Sequence, residues 1–427
     1  MNLDTVATWL GWALMAGYVA LTATEIPRFF TTALGAAPGP APATEAPVSR
    51  RRLLGEALLA FLASRLLVAL VCAVGCWIQQ TSLSGFPGAL WENLFPWDAR
   101  HYLDIIDNGY VADGEAQLFI VFFPFYPMVC RCLTLMTGIS STAAALVVSN
   151  AALVGCGAAM YRLCELDGGA TLGRRAMLLL MFCPMTYFFS ISYSESTFLL
   201  AVLLAVLFAR KRRFFPAVLC GALASGARLM GMATAIPIFW ELLRAETDRQ
   251  DAPLKGGALA RAMAVSVARV LPVSLGFVCY LCLNWRLFGN PTQFMVFQSQ
   301  HWYQNLGDIG NTFRYCLVNA VDYEDGLYRL GVWIPQTLLL VAVPLLILWR
   351  RKREKPGDVA YALAYHYVAF SPTWLLSGPR YAACNYALYP MLAGIPRGKR
   401  GFMALLAGEC TLMAGMTWLG LWLGKVY

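Results

Sequence analysis

LDTVATWLGWALMAGYVALTA, residues 3–23, decides the class of this protein. Its one charge is Asp4, and it is long enough to cross the hydrocarbon core of a bilayer as a single helix. It lacks a basic leading segment and a cleavage site, so it reads as a retained helix rather than a signal peptide. Runs like it recur along the 427 residues, of which 59% are hydrophobic and only 13% charged. A water-soluble domain carries about 25% charged residues. The fold class expected is an all-α polytopic membrane protein, with residues 1–427 forming one transmembrane domain.

Apolar stretches lie at 56–77, 118–136, 140–160, 175–192, 196–209, 214–240, 268–288, 331–349, 358–376, 382–395 and 402–422. Several are short or interrupted by Pro or Gly, which membranes tolerate where the backbone faces protein or a water-filled cavity. With the first run they predict about 11 to 13 crossings. The Pro/Ala-rich connection at 34–52 reads as a solvated linker, and 241–260 as a charged loop.

The net charge of +9 does not point to nucleic acid, because the basic residues are clustered beside apolar runs. SRRR at 49–52, RKRR at 210–213, RRKREK at 350–355 and RGKR at 397–400 are the short juxtamembrane clusters that stay on the cytoplasmic side. No basic groove interleaved with aromatic stacking platforms accompanies them. With those clusters inside, the polar segments that fall outside are a first large loop at 82–117, the SYSES tip at 192–196, the SGARLMG turn at 225–231, the polar interval at 289–330, and SGPRY at 377–381. The stretch between residues 117 and 162 needs an odd number of crossings yet shows two apolar runs. FFPFYP at 122–127 marks a re-entrant or broken helix there.

The densest external cluster is FPWDARHYLDIIDNGY, residues 95–110. Asp98 and His101, three apart on a helix, share a face. Asp98 is placed to take a proton from an acceptor hydroxyl as a general base. It is equally placed to cap the helix and pair with Arg100 or His101, and both readings stand at this point. Glu115 is a candidate for orienting substrate hydroxyls, or a solvated loop acid. Tyr193 and Glu195 sit at the SYSES tip between apolar arms, and Arg228 and Arg380 lie in or beside other apolar runs. Ionisable residues there are costly and so mark functional sites or structural pairs. The planar fork of Arg suits a lipid phosphate. Gln298, with His301 and Trp302, is a candidate for closing the substrate cavity. The three His residues are too dispersed for a zinc signature and the thirteen Cys form no CxxC array, so no metal or other cofactor is assigned and the metal requirement stays open.

WDARHY at 97–102, NGY at 108–110, Glu115, FFPFYP, YSE at 193–195, GAR at 226–228 and SGPRY at 377–381 occur in an order that resembles the PIG-V mannosyltransferase family. That resemblance implies a GT-C-like bundle with its active site on the lumenal or extracytoplasmic face. It implies a polyprenyl or dolichyl phosphate mannose donor, and a lipid or glycan acceptor. It places the catalytic acid of the first external loop at Asp98, and its motif matches extend to Glu115, Tyr193, Glu195, Arg228 and Arg380. Together with the reading of the residues themselves, this assigns donor phosphate binding to Arg228 and Arg380 and substrate binding to His101, Glu115, Tyr193, Glu195 and Gln298. The membrane expected is a prokaryotic plasma membrane or the endoplasmic reticulum. The segment after NGY, VADGEAQLFIVFFPFYP, departs from the compact acidic–His passage of the eukaryotic members, so the resemblance carries the donor further than the acceptor. Rival readings are a transferase of another lipid-linked sugar and a transporter or flippase of a lipid-linked glycan.

Overall fold

A computed structural model describes residues 2–35, 47–78, 88, 94–250, 254–422, 424 and 426. The described residues form helices and short 3-10 or π turns, with no strand. Most of the linker, 36–46, and much of the first half of the 82–117 loop fall outside them.

The chain opens with α1 (Leu3–Leu34) and α2 (Arg50–Ile78), both long enough to span. A short helix, α3 (Ala99–Asn108), carries the WDARHY segment. A 3-10 turn, Glu115–Val121, and α4 (Phe125–Thr137) follow, bent by 114° to one another across Pro124. Arg131 of α4 donates to the carbonyls of Ile106 and Asp107, at 2.9 and 3.0 Å, and Ser141 just beyond α4 donates to Asp107 at 3.0 Å. The bent pair therefore begins and ends beside α3. It returns to the end of the bundle from which it started, so the odd crossing expected between residues 117 and 162 falls on the first arm of the next element.

That next helix, α5 (Ser141–Met181), joins two expected segments. Gly168 and Gly169 leave helical geometry, Gly169 at φ 81°, a region that costs little only without a Cβ. Twelve residues apart on either side of this turn, the Tyr161 carbonyl lies 2.6 Å from where a Cβ on Gly173 would sit. In a straight helix those positions would be about 18 Å apart. The element is a hairpin of two arms. It leads through a 3-10 turn, Thr186–Phe189, to the SYSES tip and α6 (Glu195–Arg210).

Next come α7 (Phe214–Ala227), a 3-10 turn at Leu229–Thr234 and α8 (Ala235–Gln250). Helix α8 occupies half of the segment expected to be a charged loop, because Trp240 and Leu243 pack on Phe29 and Ala33 of α1 while its charges face outward or pair. Helices α9 (Gly256–Val270) and α10 (Leu275–Phe288) form one apolar span. Beyond it, α11 (Gln293–Trp302) and α12 (Ile309–Asp322) fill the polar interval, and α13 (Ile334–Arg350) and α14 (Pro356–Phe370) form the next pair. Two short helices, α15 (Gly378–Ala383) and α16 (Leu388–Ala393), precede α17 (Lys399–Leu421). Among the described residues six helices are long and apolar enough to cross a membrane, or seven counting the bent pair. The other expected crossings fall on shorter helices such as α6, α7, α8 and α14.

The basic clusters gather at one end. Arg174 pairs with Glu56 at 2.9 Å and Arg175 donates to the Pro396 carbonyl at 2.9 Å. Arg210, closing α6, is ringed by three carboxylates: Asp358 in a short contact, Glu241 at 3.1 Å and Asp167 at 3.6 Å. Lys355 reaches Asp167 at 2.5 Å. The polar segments gather at the other end.

Candidate active site

Asp98 stands at the N-cap position of α3, but its side chain makes no capping hydrogen bond. Its backbone N–H donates instead to the Tyr193 hydroxyl at 3.2 Å, and that hydroxyl donates to the Pro96 carbonyl at 3.3 Å. The carboxylate is left free of the helix and 30% exposed, with Arg380 NH2 3.6 Å from its Oδ2. Arg100, its expected alternative partner, is exposed. Trp97 just before it adopts φ 45°, a left-handed conformation costly for a bulky residue, and its ring stacks 6.1 Å from Phe188.

Glu195, the first residue of α6, is fully buried. Its Oε1 accepts a short contact from Arg228 NH2 and lies 3.2 Å from Arg380 Nε, so one carboxylate holds two guanidinium groups. Arg228 also donates through Nε to Ser194 Oγ at 3.1 Å, and Tyr102 of α3 donates to the same oxygen at 3.1 Å. Helix α7 ends at Ala227, and Arg228 is extended at φ −159°, which turns its side chain toward the tip of α6. Three rings surround the cations: Arg380 lies 4.9 Å from Tyr193, 5.4 Å from Phe188 and 5.5 Å from Tyr381. Such rings stabilise a guanidinium removed from water without neutralising it.

The five residues Asp98, Tyr193, Glu195, Arg228 and Arg380 therefore meet, from four separated parts of the chain. His101 lies one turn along α3 from Asp98, 4.4 Å from Phe119 and 5.4 Å from Phe122. Burial pushes its imidazole below the ordinary value, against the raising pull of Asp98 and Asp104. Gln298 bonds Gln304 at 2.6 Å, on the helix whose Trp302 meets Phe122 at 6.2 Å. Glu115 is exposed at the start of the 3-10 turn that carries Phe119. None of these three makes a hydrogen bond or ion pair with the five residues of the charged centre. Two participants escaped the sequence reading: Ser194, a small polar residue shared by Tyr102 and Arg228, and Phe188, between Trp97 and Arg380. Ser194 lay in view inside YSE; Phe188 carried no signal in an apolar run.

Among the described residues no group of three or more His, Cys, Asp or Glu comes together to hold a metal. An apolar groove of about 960 Å³ runs between α1, α8, α9 and α14, lined by Tyr18, Phe239, Val267 and Tyr367 among others, and none of the five residues lines it.

The family described as Mannosyltransferase (PIG-V) matches residues 64–317. The chain belongs to that family. The matched segment contains Asp98, Tyr193, Glu195 and Arg228, and ends before Arg380. GPI alpha-1,6-mannosyltransferase 2 of Rattus norvegicus is 26% identical over 289 residues, 61% of this chain and 58% of the rat protein. The match thus spans under two thirds of that relative. Among solved structures, ArnT from Cupriavidus metallidurans in the apo state is similar at a TM-score of 0.47 and 16% identity, over 79% of this chain and 63% of that one. The Archaeoglobus fulgidus oligosaccharyltransferase complex with Zn and sulfate is similar at 0.45 and 12%, over 84% and 53%.

Proposed function

We propose that this chain transfers mannose from a polyprenyl or dolichyl phosphate mannose to a hydroxyl of a lipid or glycan acceptor, at the extracytoplasmic or lumenal face. The acceptor oxygen attacks the anomeric carbon and its proton passes to Asp98. The bond from that carbon to the phosphate oxygen breaks, and its electron pair leaves on the lipid phosphate. One displacement inverts the centre, so a β-linked donor gives an α-mannoside. Negative charge grows on the phosphate as the bond breaks, and fixed guanidinium groups favour that state over the ground state. Arg228 and Arg380 take this role, with Glu195 holding them in place. The observation that carries the reading is the Asp98 carboxylate, unspent on helix capping, accessible, and 3.6 Å from Arg380.

Asp98→Asn keeps the side chain's shape and removes its basicity. Turnover should fall by about 10²–10⁴ with insertion and yield unchanged. The measurement is mass spectrometry of the product from purified protein, a panel of polyprenyl phosphate sugars and a native lipid extract. Near-normal turnover of Asp98→Asn sinks the base; a product carrying a different sugar redirects the donor; movement of intact substrate with no new glycosidic bond favours a transporter.

A further inference from the structure

The groove of about 960 Å³ between α1, α8, α9 and α14 is apolar except at Thr22, Glu25 and two tyrosines, and exposed Val19, Ile26 and Val267 leave it open sideways to lipid. Along α1 it runs from Phe30 to Met15, about 22 Å at the rise of a helix. That is half of a bilayer about 40–45 Å thick with its headgroups. The Phe30 end is the basic end, since Arg28 beside it donates to the Glu354 carbonyl at 2.8 Å. Glu25 lies about 8 Å in from Phe30, at the depth where headgroups give way to hydrocarbon. It is buried and takes two cations, Arg28 NH1 on Oε2 and Arg351 NH1 on Oε1, each at 2.8 Å. One positive charge is left over, and exposed Lys352 and Arg353 follow it in the chain. Arg351 spends only NH1, on Glu25 and on Thr24 Oγ1 at 2.6 Å; its NH2 and Nε make no hydrogen bond among the described residues, and its side chain is 22% exposed. An apolar trough one leaflet deep therefore ends at a reachable cation with donors to spare.

We propose that this groove seats one anionic phospholipid from the leaflet at the basic end, its phosphate accepting from Arg351 and its acyl chains lying along α1 toward Met15. Burial of the chain methylenes supplies affinity for any two-chain lipid. The headgroup is selected by charge: the free side of the Arg351 fork suits a phosphate, and Lys352 and Arg353 repel the ammonium of a zwitterionic lipid. The chain of a lipid-linked sugar donor is the poorer fit, because none of the five residues of the charged centre lines the groove and that centre lies at the opposite end of the bundle. The site does not depend on the transferase reading.

The test uses the full chain purified in detergent and native mass spectrometry with equal phosphatidylglycerol and phosphatidylcholine of the same acyl chains. The wild type should retain the anionic lipid about fivefold better. Arg351→Gln, which leaves Arg28 on Glu25, should lose that preference and keep the phosphatidylcholine level. Ala23→Trp fills the trough from an exposed face of α1 and should lose most of both lipids. Equal retention of the two lipids by the wild type overturns the proposal, and so does phosphatidylglycerol retention unchanged in either variant. Should a variant fail to fold, phosphatidylglycerol with a photoactivatable acyl chain on the wild type decides. Adducts on residues 15–30, 235–239 or 360–368 support the site, and adducts confined elsewhere refute it. Loss of those adducts on adding an equal amount of polyprenyl phosphate would assign the groove to the donor's chain and overturn the proposal, while cross-links there between two copies of the chain would assign it to a dimer and do the same.

Discussion

Glu195 shows how a residue's meaning changes between sequence and structure. In the sequence it is a substrate-facing acid at a tip; in the fold it is fully buried and holds two cations, with its second oxygen, Oε2, lacking a hydrogen-bond partner. Removing one partner from a buried ion group leaves charge uncompensated, at about 3–5 kcal/mol. Glu195→Gln should therefore lower the thermal midpoint in detergent by several degrees, and Glu195→Asp should recover part of the loss; an unchanged midpoint in Glu195→Gln would show that the arginines need no counterion. Asp98, Arg228 and Arg380 were legible because an ionisable residue in an apolar chain stands out against its cost. Their pairing was not, since the partners lie far apart in sequence and only folding sets which cation meets which acid.

At the scale of elements, apolar periodicity located most helices, while the turns between them followed finer cues. The two runs at 140–160 and 175–192 fold as arms of one hairpin because Gly168 and Gly169 permit the reversal and Gly173 permits the close approach. Gly173→Ala places a Cβ 2.6 Å from the Tyr161 carbonyl, a contact that backbone must move to relieve. It should destabilise by about 1–3 kcal/mol in thermal unfolding. Gly415→Ala, which meets nothing within 4 Å, is the matched control and should behave as wild type. Helix α8 was misread as a charged loop since Arg244, Glu246 and Asp248 dominate its composition; their pairing, with packing of Trp240 and Leu243 on α1, keeps the helix intact.

Over the whole molecule, the basic clusters and the charged centre separate to opposite ends, so the positive-inside rule predicts an extracytoplasmic or lumenal centre. Single cysteines at Glu115 and Arg400, both exposed, report this directly in a chain whose exposed native Cys132, Cys279 and Cys282 have been replaced. A membrane-impermeant thiol reagent on intact cells should label the first position and reach the second only after permeabilisation; the reverse pattern inverts the topology. The ring of acids around Arg210 also bears on how the protein is made. Asp167 precedes Arg210 in the chain, Glu241 follows it closely, and Asp358 is the last of the three to leave the ribosome. At ordinary synthesis speeds of about 5–20 residues per second, Asp358 arrives roughly 7–30 s after Arg210. For that interval Arg210 has only Asp167 and Glu241 to answer its charge, and its set of partners closes only when α14 brings Asp358.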